Sequence, residues 1–269
     1  MPSKTDFSFD KRVTNEYNKA RLHPAEVSVK IGQAIADVVG DSGRVLEIGV
    51  GTGRIGYPVA SAGCHVVGFD LSADMLGETD FHKPTALSGS LNVMQADMHH
   101  IPSPSNGYDG VLAVHVLHLA TDWQRVMREA IRVLRIDGAF IIGNDWIDPA
   151  SVTGRLRNEV RRYAVTLDPT LMPPAAGVSR EQVLADLGAT SHEQVIAAEW
   201  SEWLSPNDRF KVMEQRLDAE SWIFTDEQFD QVMTHLHQCA DNWWDDLDEQ
   251  QEVKRRFILN ITRGNWSDS

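Results

Sequence analysis

Apolar positions fall into short dense runs separated by stretches with helical spacing. Val45, Leu46 and Ile48 form one such run, and Gly49, Gly51 and Gly53 follow at once. A short apolar run bounded by turn residues reads as a buried parallel strand. Residues without a Cβ let the backbone bend sharply and let a ligand come close to it. Arg54–Ala62 then reads as a helix with a small apolar inner face, ended by Gly63, and His65–Phe69 as a second strand closed by Asp70. Ahead of this unit, Val27, Ile31, Ile35 and Val38 or Val39 repeat at helical spacing across Glu26–Val39, with Gly40 and Gly43 as the stop. Beyond it, Ser72 is an N-cap for a helix running to about Thr79. Leu91–Met94 is a third strand, and Val111–Val114, opened by Tyr108, Asp109 and Gly110, is a fourth. Thr121 caps a helix over Asp122–Leu134, and Gly138 turns into a fifth strand, Ala139–Gly143.

The rest of the chain is less regular. Asn144–Gly177 holds Arg155, Arg157, Arg161, Arg162 and Tyr163, with Arg155, Glu159 and Arg162 near enough on a helix to share a face. A proline-rich loop leads to a helix over Ser179–Leu187 and a strand over His192–Trp200. Two helices follow, Asp208–Glu220 and Asp226–Leu236, the second opened by a capping sequence from Thr225 to Gln228. Phe257, Leu259 and Ile261 alternate along a last strand, Phe257–Thr262. Strands alternating with helices predict an α/β chain, and right-handed crossovers make its parallel sheet doubly wound.

The 269 residues suffice for one large domain with insertions, and 42% hydrophobic against 24% charged residues is ordinary for a globular chain. A formal net charge of −14 disfavours a general nucleic-acid surface, which needs clustered Lys and Arg. Cys64 and Cys239 lie far apart and give neither a disulfide framework nor zinc spacing, which fits a reducing cytoplasm. His235 and His237 do not share a helical face, and no third ligand is evident, so no metal is expected. The opening residues lack a signal-peptide apolar region, and no apolar run approaches the roughly 20 residues of a membrane helix.

The glycine turn and Asp70 stand at the carboxyl ends of neighbouring strands, where open α/β sheets bind ligands. Two cofactor classes use such a crevice. Gly51, Gly53 and Gly56 satisfy the G-x-G-x-x-G spacing of a dinucleotide site, a weak signal alone. Glu47 precedes the turn and gives E-x-G-x-G-T-G, which resembles the first motif of class I S-adenosylmethionine-dependent methyltransferases. The later run VLHLATDWQRVMREAIRVLRIDGAFII resembles that family's fourth and fifth motif region. The resemblance implies a seven-stranded, mostly parallel Rossmann-like sheet of order 3-2-1-4-5-7-6, with the seventh strand antiparallel. It implies S-adenosylmethionine as methyl donor and S-adenosylhomocysteine as product. Glu47 would order the loop and reach the donor's ammonium group through water, with Gly49, Gly51, Gly53 and Arg54 around the amino-acid part. Asp70 would accept the ribose hydroxyls, Leu71 and Met75 would pack near the adenine, and Asp97 would accept its amino group beside Met98. The Y-[DN]-x-x-R pattern of Tyr17 and Arg21 is familiar from segments that fold over such a pocket.

Methyl transfer from a sulfonium is an in-line displacement whose leaving group is already activated, so positioning and dryness matter most. Where the acceptor must lose a proton, a placed His is the usual device. His115 and His118, at the end of the fourth strand, are the candidates, with His115 also beside the cofactor. No Asn-Pro-Pro-Tyr or Asp-Pro-Pro-Tyr follows that strand, which argues against the DNA and RNA amino-methylating subtype. The expected partner is a small-molecule acceptor, with Arg155, Arg162 and Trp146 as candidate contacts, and with neither nucleic acid nor membrane. The expected organisation is one domain, monomeric or homodimeric. Its core is 25–146, 178–201 and 252–264, and its lid elements are 1–24, 147–177 and 202–251. A nicotinamide-dependent oxidoreductase and a non-catalytic S-adenosylmethionine-binding module are the alternatives.

Overall fold

The apolar runs become strands of one seven-stranded sheet, ordered β3-β2-β1-β4-β5-β7-β6. The computed structural model describes residues 22–79, 83–171, 180–216, 221 and 223–266. The candidates Tyr17 and Arg21 lie outside them. In chain order the elements are α1 (Ala25–Val39), β1 (Arg44–Ile48), α2 (Gly56–Ser61), β2 (His65–Asp70), α3 (Ala73–Gly77), β3 (Ser90–Gln95) and β4 (Tyr108–Val114). Then come a 3-10 turn (Leu117–Leu119), α4 (Trp123–Val133), β5 (Leu134–Ile147), α5 (Val152–Leu167), α6 (Arg180–Asp186), β6 (Ala189–Leu204), α7 (Pro206–Glu214), α8 (Asp226–Trp243) and β7 (Gln251–Gly264).

β1 pairs in parallel with β2 and β4, β2 with β3, and β4 with β5. Contacts along β7 run the other way. Thr190 reaches Arg263, Gln194 reaches Asn260, and Ser201 reaches Glu252, so partner numbers fall on β7 as they rise on β6. The β7 neighbours of β5 show the same reversal, with Phe257 at Gly143 and Lys254 at Asp148. β7 is therefore antiparallel to both.

Local expectations shift in several places. The helix expected over Arg54–Ala62 is only Gly56–Ser61, because the glycine turn extends through Ile55. Pro58 sits in its first turn, where the missing N–H has no helical partner to lose. Asp122, not Thr121, caps α4, its side chain accepting from the Arg125 amide. Asp137, not Gly138, takes the positive φ in the turn within β5. α8 continues past Leu236 to Trp243, and β5, β6 and β7 are all longer than expected. β6 is an edge strand with mostly exposed side chains, so burial leaves little alternation to mark its ends. The capping box at α8 is complete, with Thr225 accepting from the Gln228 amide and Gln228 from the Thr225 amide.

The chain forms two compact units. One draws its described residues from Phe9–Asp145, Gly177–Ala198 and Phe257–Ser269, the other from Trp146–Ala176 and Glu199–Arg256. In the first, Leu46, Ile48, Phe69, Val111, Met127 and Phe140 belong to the core on one side of the central strands. Trp266 closes it by donating its indole N–H to the Gly138 carbonyl at 2.7 Å. The second has its own core of Leu156, Val160, Phe210, Phe224, Val232 and Leu236, built by α5, α7 and α8.

Candidate active site

The glycine turn after β1 is shaped by left-handed backbone at Gly49, Gly51 and Gly53, with φ of +69°, +55° and +82°. At Gly49 a Cβ would come within 2.5 Å of the Val116 side chain, so neither conformation nor space admits another residue. The amides of Gly49 and Val50 both donate to the Phe69 carbonyl, at 2.9 and 3.0 Å, and tie the turn to β2. Asp70 accepts from the Gly51 amide on one oxygen at 3.0 Å and from the Ser72 amide on the other at 2.9 Å. Burial raises its carboxyl pKa above the ordinary value despite these bonds. Met75 is buried, with its methyl tip 3.1 Å from where a Gly51 Cβ would stand. Leu71 is 71% exposed.

Glu47 is 2% exposed, yet its Oε2 has no hydrogen-bond partner among the described residues. Burial is the main cause that pushes its carboxyl up to about 8, the Arg54 charge opposing and the Asp70 charge adding to it. A buried acid at the carboxyl end of a parallel strand, unsatisfied on one oxygen, is the type of group a positive charge completes.

Asp97 follows β3 and is exposed. Its Oδ1 accepts from the His99 amide at 2.9 Å and from His99 Nδ1 at 2.7 Å. His99 Nε2 accepts from the Asp122 amide at 3.2 Å, so the ring carries its proton on Nδ1. Slight burial works against ionisation of Asp97, but the His99 contacts outweigh it and hold the carboxyl below its ordinary value. His99 thus ties the Asp97 loop to the start of α4. Met98 packs half-buried against the main core.

The tips of β4 and β5 hold a cluster that sequence reasoning reached only in part. His115 has φ of +51°, an uncommon conformation for a residue with a Cβ. Its Nε2 lies 2.9 Å from Asp145 Oδ2. His23 Nε2 lies 2.8 Å from Asp145 Oδ1. Arg54 Nη1 lies 3.9 Å from Asp145 Oδ2 and 3.1 and 3.2 Å from the two His23 ring nitrogens. Near-equal distances to both nitrogens place it over the ring rather than in an in-plane bond to one. Burial opposes ionisation of Asp145, but hydrogen bonds from His115 and His23 and the Arg54 charge drive its carboxyl far below the usual range. An ionised acid accepts only, so at 2.9 Å His115 donates from Nε2, the Asp145 amide lying farther off at 3.4 Å, and in the neutral ring Nδ1 carries the lone pair. His118 sits half-buried in the following 3-10 turn. Asp145 and His23 were missed because their partners are 30 and 122 residues away, beyond any local pattern.

The candidates in the second unit occupy other surroundings. Arg155 lies over Trp243 and Trp244, 4.6 and 4.9 Å from their ring centres. Of the three residues expected to share a face, Arg162 pairs with Glu159, one helical turn away. Trp146 stacks under Arg256 at 4.8 Å. The expectation that His235 has no third ligand nearby does not hold, since Glu159 and Cys239 both reach it.

Residues 46–142 match a methyltransferase domain family. An uncharacterised Mycobacterium tuberculosis protein is 31% identical over 124 residues, 46% of this chain and 44% of its own length. The phosphatidylethanolamine N-methyltransferase of Cereibacter sphaeroides is 29% identical over 133 residues, 49% of this chain and 65% of its own. The chain thus spans less than two thirds of each of these curated relatives. The crystal structure of YcgJ from Bacillus subtilis has the same fold, with a TM-score of 0.57, 19% identity, and coverage of 87% of this chain and 98% of that one. The domain match lies over β1 to β5, and the seven strands take the order that the first-motif resemblance implied.

Proposed function

We propose that the chain binds S-adenosylmethionine at the β1–β2 glycine turn and moves its methyl group to a small-molecule O, N or C acceptor by in-line displacement. The unsatisfied Glu47 oxygen carries this reading, because the expected donor brings an ammonium group that a buried carboxylate can hold directly or through water. Asp70 offers both oxygens at the end of β2, each with capacity left for a ribose hydroxyl. Gly49, Gly51 and Gly53 keep the backbone clear for the amino-acid part, and Met75 gives an apolar surface beside Gly51. Met98 and the backbone around it, steadied by the Asp97–His99 contact, would flank the adenine. When bound, the donor supplies an electrophilic methyl group on sulfur.

The chain's own residues then have two tasks. The first is to hold the acceptor in line and exclude water. The second, for an acceptor that must be deprotonated, is to take a proton. His115 is the base, accepting at Nδ1 while its Nε2–H stays on Asp145. Asp145 fixes the tautomer and favours the protonated ring without itself taking the proton. Arg54 and His23 hold Asp145 in place and keep it ionised. Asp145, His23 and Arg54 are positioning residues in this scheme.

The test is a methylation screen with isotopically labelled donor, started with ethanolamine-headed amines, the chemistry in one relative's name, and widened to metabolite extracts. Label transferred by the wild-type chain and lost in His115→Asn supports the reading. Binding of NADH with no binding of S-adenosylhomocysteine overturns it in favour of an oxidoreductase.

A further inference from the structure

The second unit brings three metal-type ligands together. Glu159 on α5 meets His235 and Cys239, which sit four residues apart on one face of α8. Their ligand atoms all lie within 4.8 Å of one another. Glu159 Oε1 is 2.6 Å from His235 Nε2 and 3.7 Å from Cys239 Sγ, and Sγ is 3.4 Å from Nε2. In a tetrahedral zinc site with arms of about 2.0 Å to N and O and about 2.3 Å to S, ligand atoms stand roughly 3.3–3.6 Å apart. Two of the three edges, 3.4 and 3.7 Å, lie within about 0.1 Å of that range. The third is closed by a hydrogen bond and must open by about 0.7 Å.

We infer that Glu159, His235 and Cys239 form a binding site for a zinc-class divalent cation that staples α5 to α8. The mixed O, N and S donor set suits a borderline-soft ion and discriminates against magnesium and calcium, which prefer oxygen alone. On ligation His235 moves its ring proton to Nδ1, Cys239 releases its thiol proton to solvent, and Nε2, Sγ and Oε1 turn to the ion. Tyr163 stacks flat on the His235 ring, 3.9 Å between centres and 6° between planes, and fixes its plane for this role. Arg162 is the competitor, since it pairs with Glu159, but its side chain is 65% exposed and can turn to water at little cost. A polar groove lined by Asp230, Gln231, Thr234 and Gln238 opens beside His235, giving the ion a route in and a water for its fourth position. The site is independent of donor binding and of the reading of the strand tips.

The direct test titrates the full chain, stripped with a chelator, with cobalt(II) as a spectroscopic substitute. The expected result is saturation at one ion per chain, with tetrahedral ligand-field bands and a thiolate charge-transfer band, reversed by zinc. Zinc raises the melting temperature, whereas magnesium does not. Cys239→Ser removes the charge-transfer band and weakens binding more than about 100-fold. Arg162→Gln, which cannot break the fold through an exposed side chain, tightens it. Absence of a saturable cobalt spectrum in the wild type overturns the site. So does an unchanged spectrum in Cys239→Ser that circular dichroism shows to be folded.

Discussion

Glu47 and Asp145 are both acids held away from water at strand tips of the same unit, and the structure treats them oppositely. Asp145 receives two imidazoles and faces a guanidinium, and its carboxyl sits far below the usual range. Glu47 is left with one oxygen unsatisfied, and burial lifts its carboxyl to about 8. The chain therefore supplies the counter-charge in one place and withholds it in the other. A completed acid is an anchor: it fixes His115 at the β4 end. An incomplete acid is a receptor for positive charge, and folding alone does not satisfy it.

The largest expected effect breaks the anchored side. His115→Asn lowers kcat by about 10²–10⁴-fold for an acceptor that must lose a proton, with donor affinity unchanged in calorimetry. An undiminished rate with such an acceptor would remove His115 as the base. Next comes the acid beside the receptor. On the proposed ribose contact, Asp70→Ala weakens S-adenosylhomocysteine binding by more than about 100-fold, while circular dichroism shows the fold retained. Unchanged affinity would take the ribose contact away from Asp70.

Glu47→Gln sharpens the contrast through pH. The wild-type carboxyl is raised from 4.5 to about 8, so the folded state resists an ionisation that the unfolded chain accepts. Wild-type stability is highest where Glu47 is protonated in both states and falls as the pH climbs from about 4.5 to about 8. Gln does not titrate. Relative to its value near pH 4.5, the stability of Glu47→Gln over wild type therefore grows with pH and levels off above 8, reaching a few kcal/mol at most in denaturant melts. A difference independent of pH would show that Glu47 is ionised and satisfied without ligand. The smallest effect lies in the second unit. Arg155→Ala gives up its stacking on Trp243 and Trp244 and costs about 1 kcal/mol in thermal melts, without touching donor affinity.

The glycine turn with its two acids was legible in the sequence and the Asp145 cluster mostly was not, for a physical reason. Glu47, the glycines and Asp70 lie within one strand–turn–helix–strand stretch, where apolar runs and missing side chains mark each position. The order of the seven strands followed from the resemblance those motifs carry. Asp145 looked like an ordinary residue beyond a strand, because its role comes from His23 and His115, which only the sheet brings to it. Glu159, His235 and Cys239 were hidden in the same way. α8 was expected to end at Leu236, which left Cys239 off the helix face that in fact carries it beside His235. The long ends of β6 escaped because exposed edge residues obey no burial alternation.

The most direct test of the receptor claim is calorimetric titration of S-adenosylmethionine into wild type and Glu47→Gln at pH 7, in buffers of different ionisation enthalpy. If Glu47 is protonated when alone and ionised against the donor's positive charge, wild-type binding releases close to one proton and Glu47→Gln releases none. Binding with equal proton release in both chains, or no binding by the wild type, would contradict it.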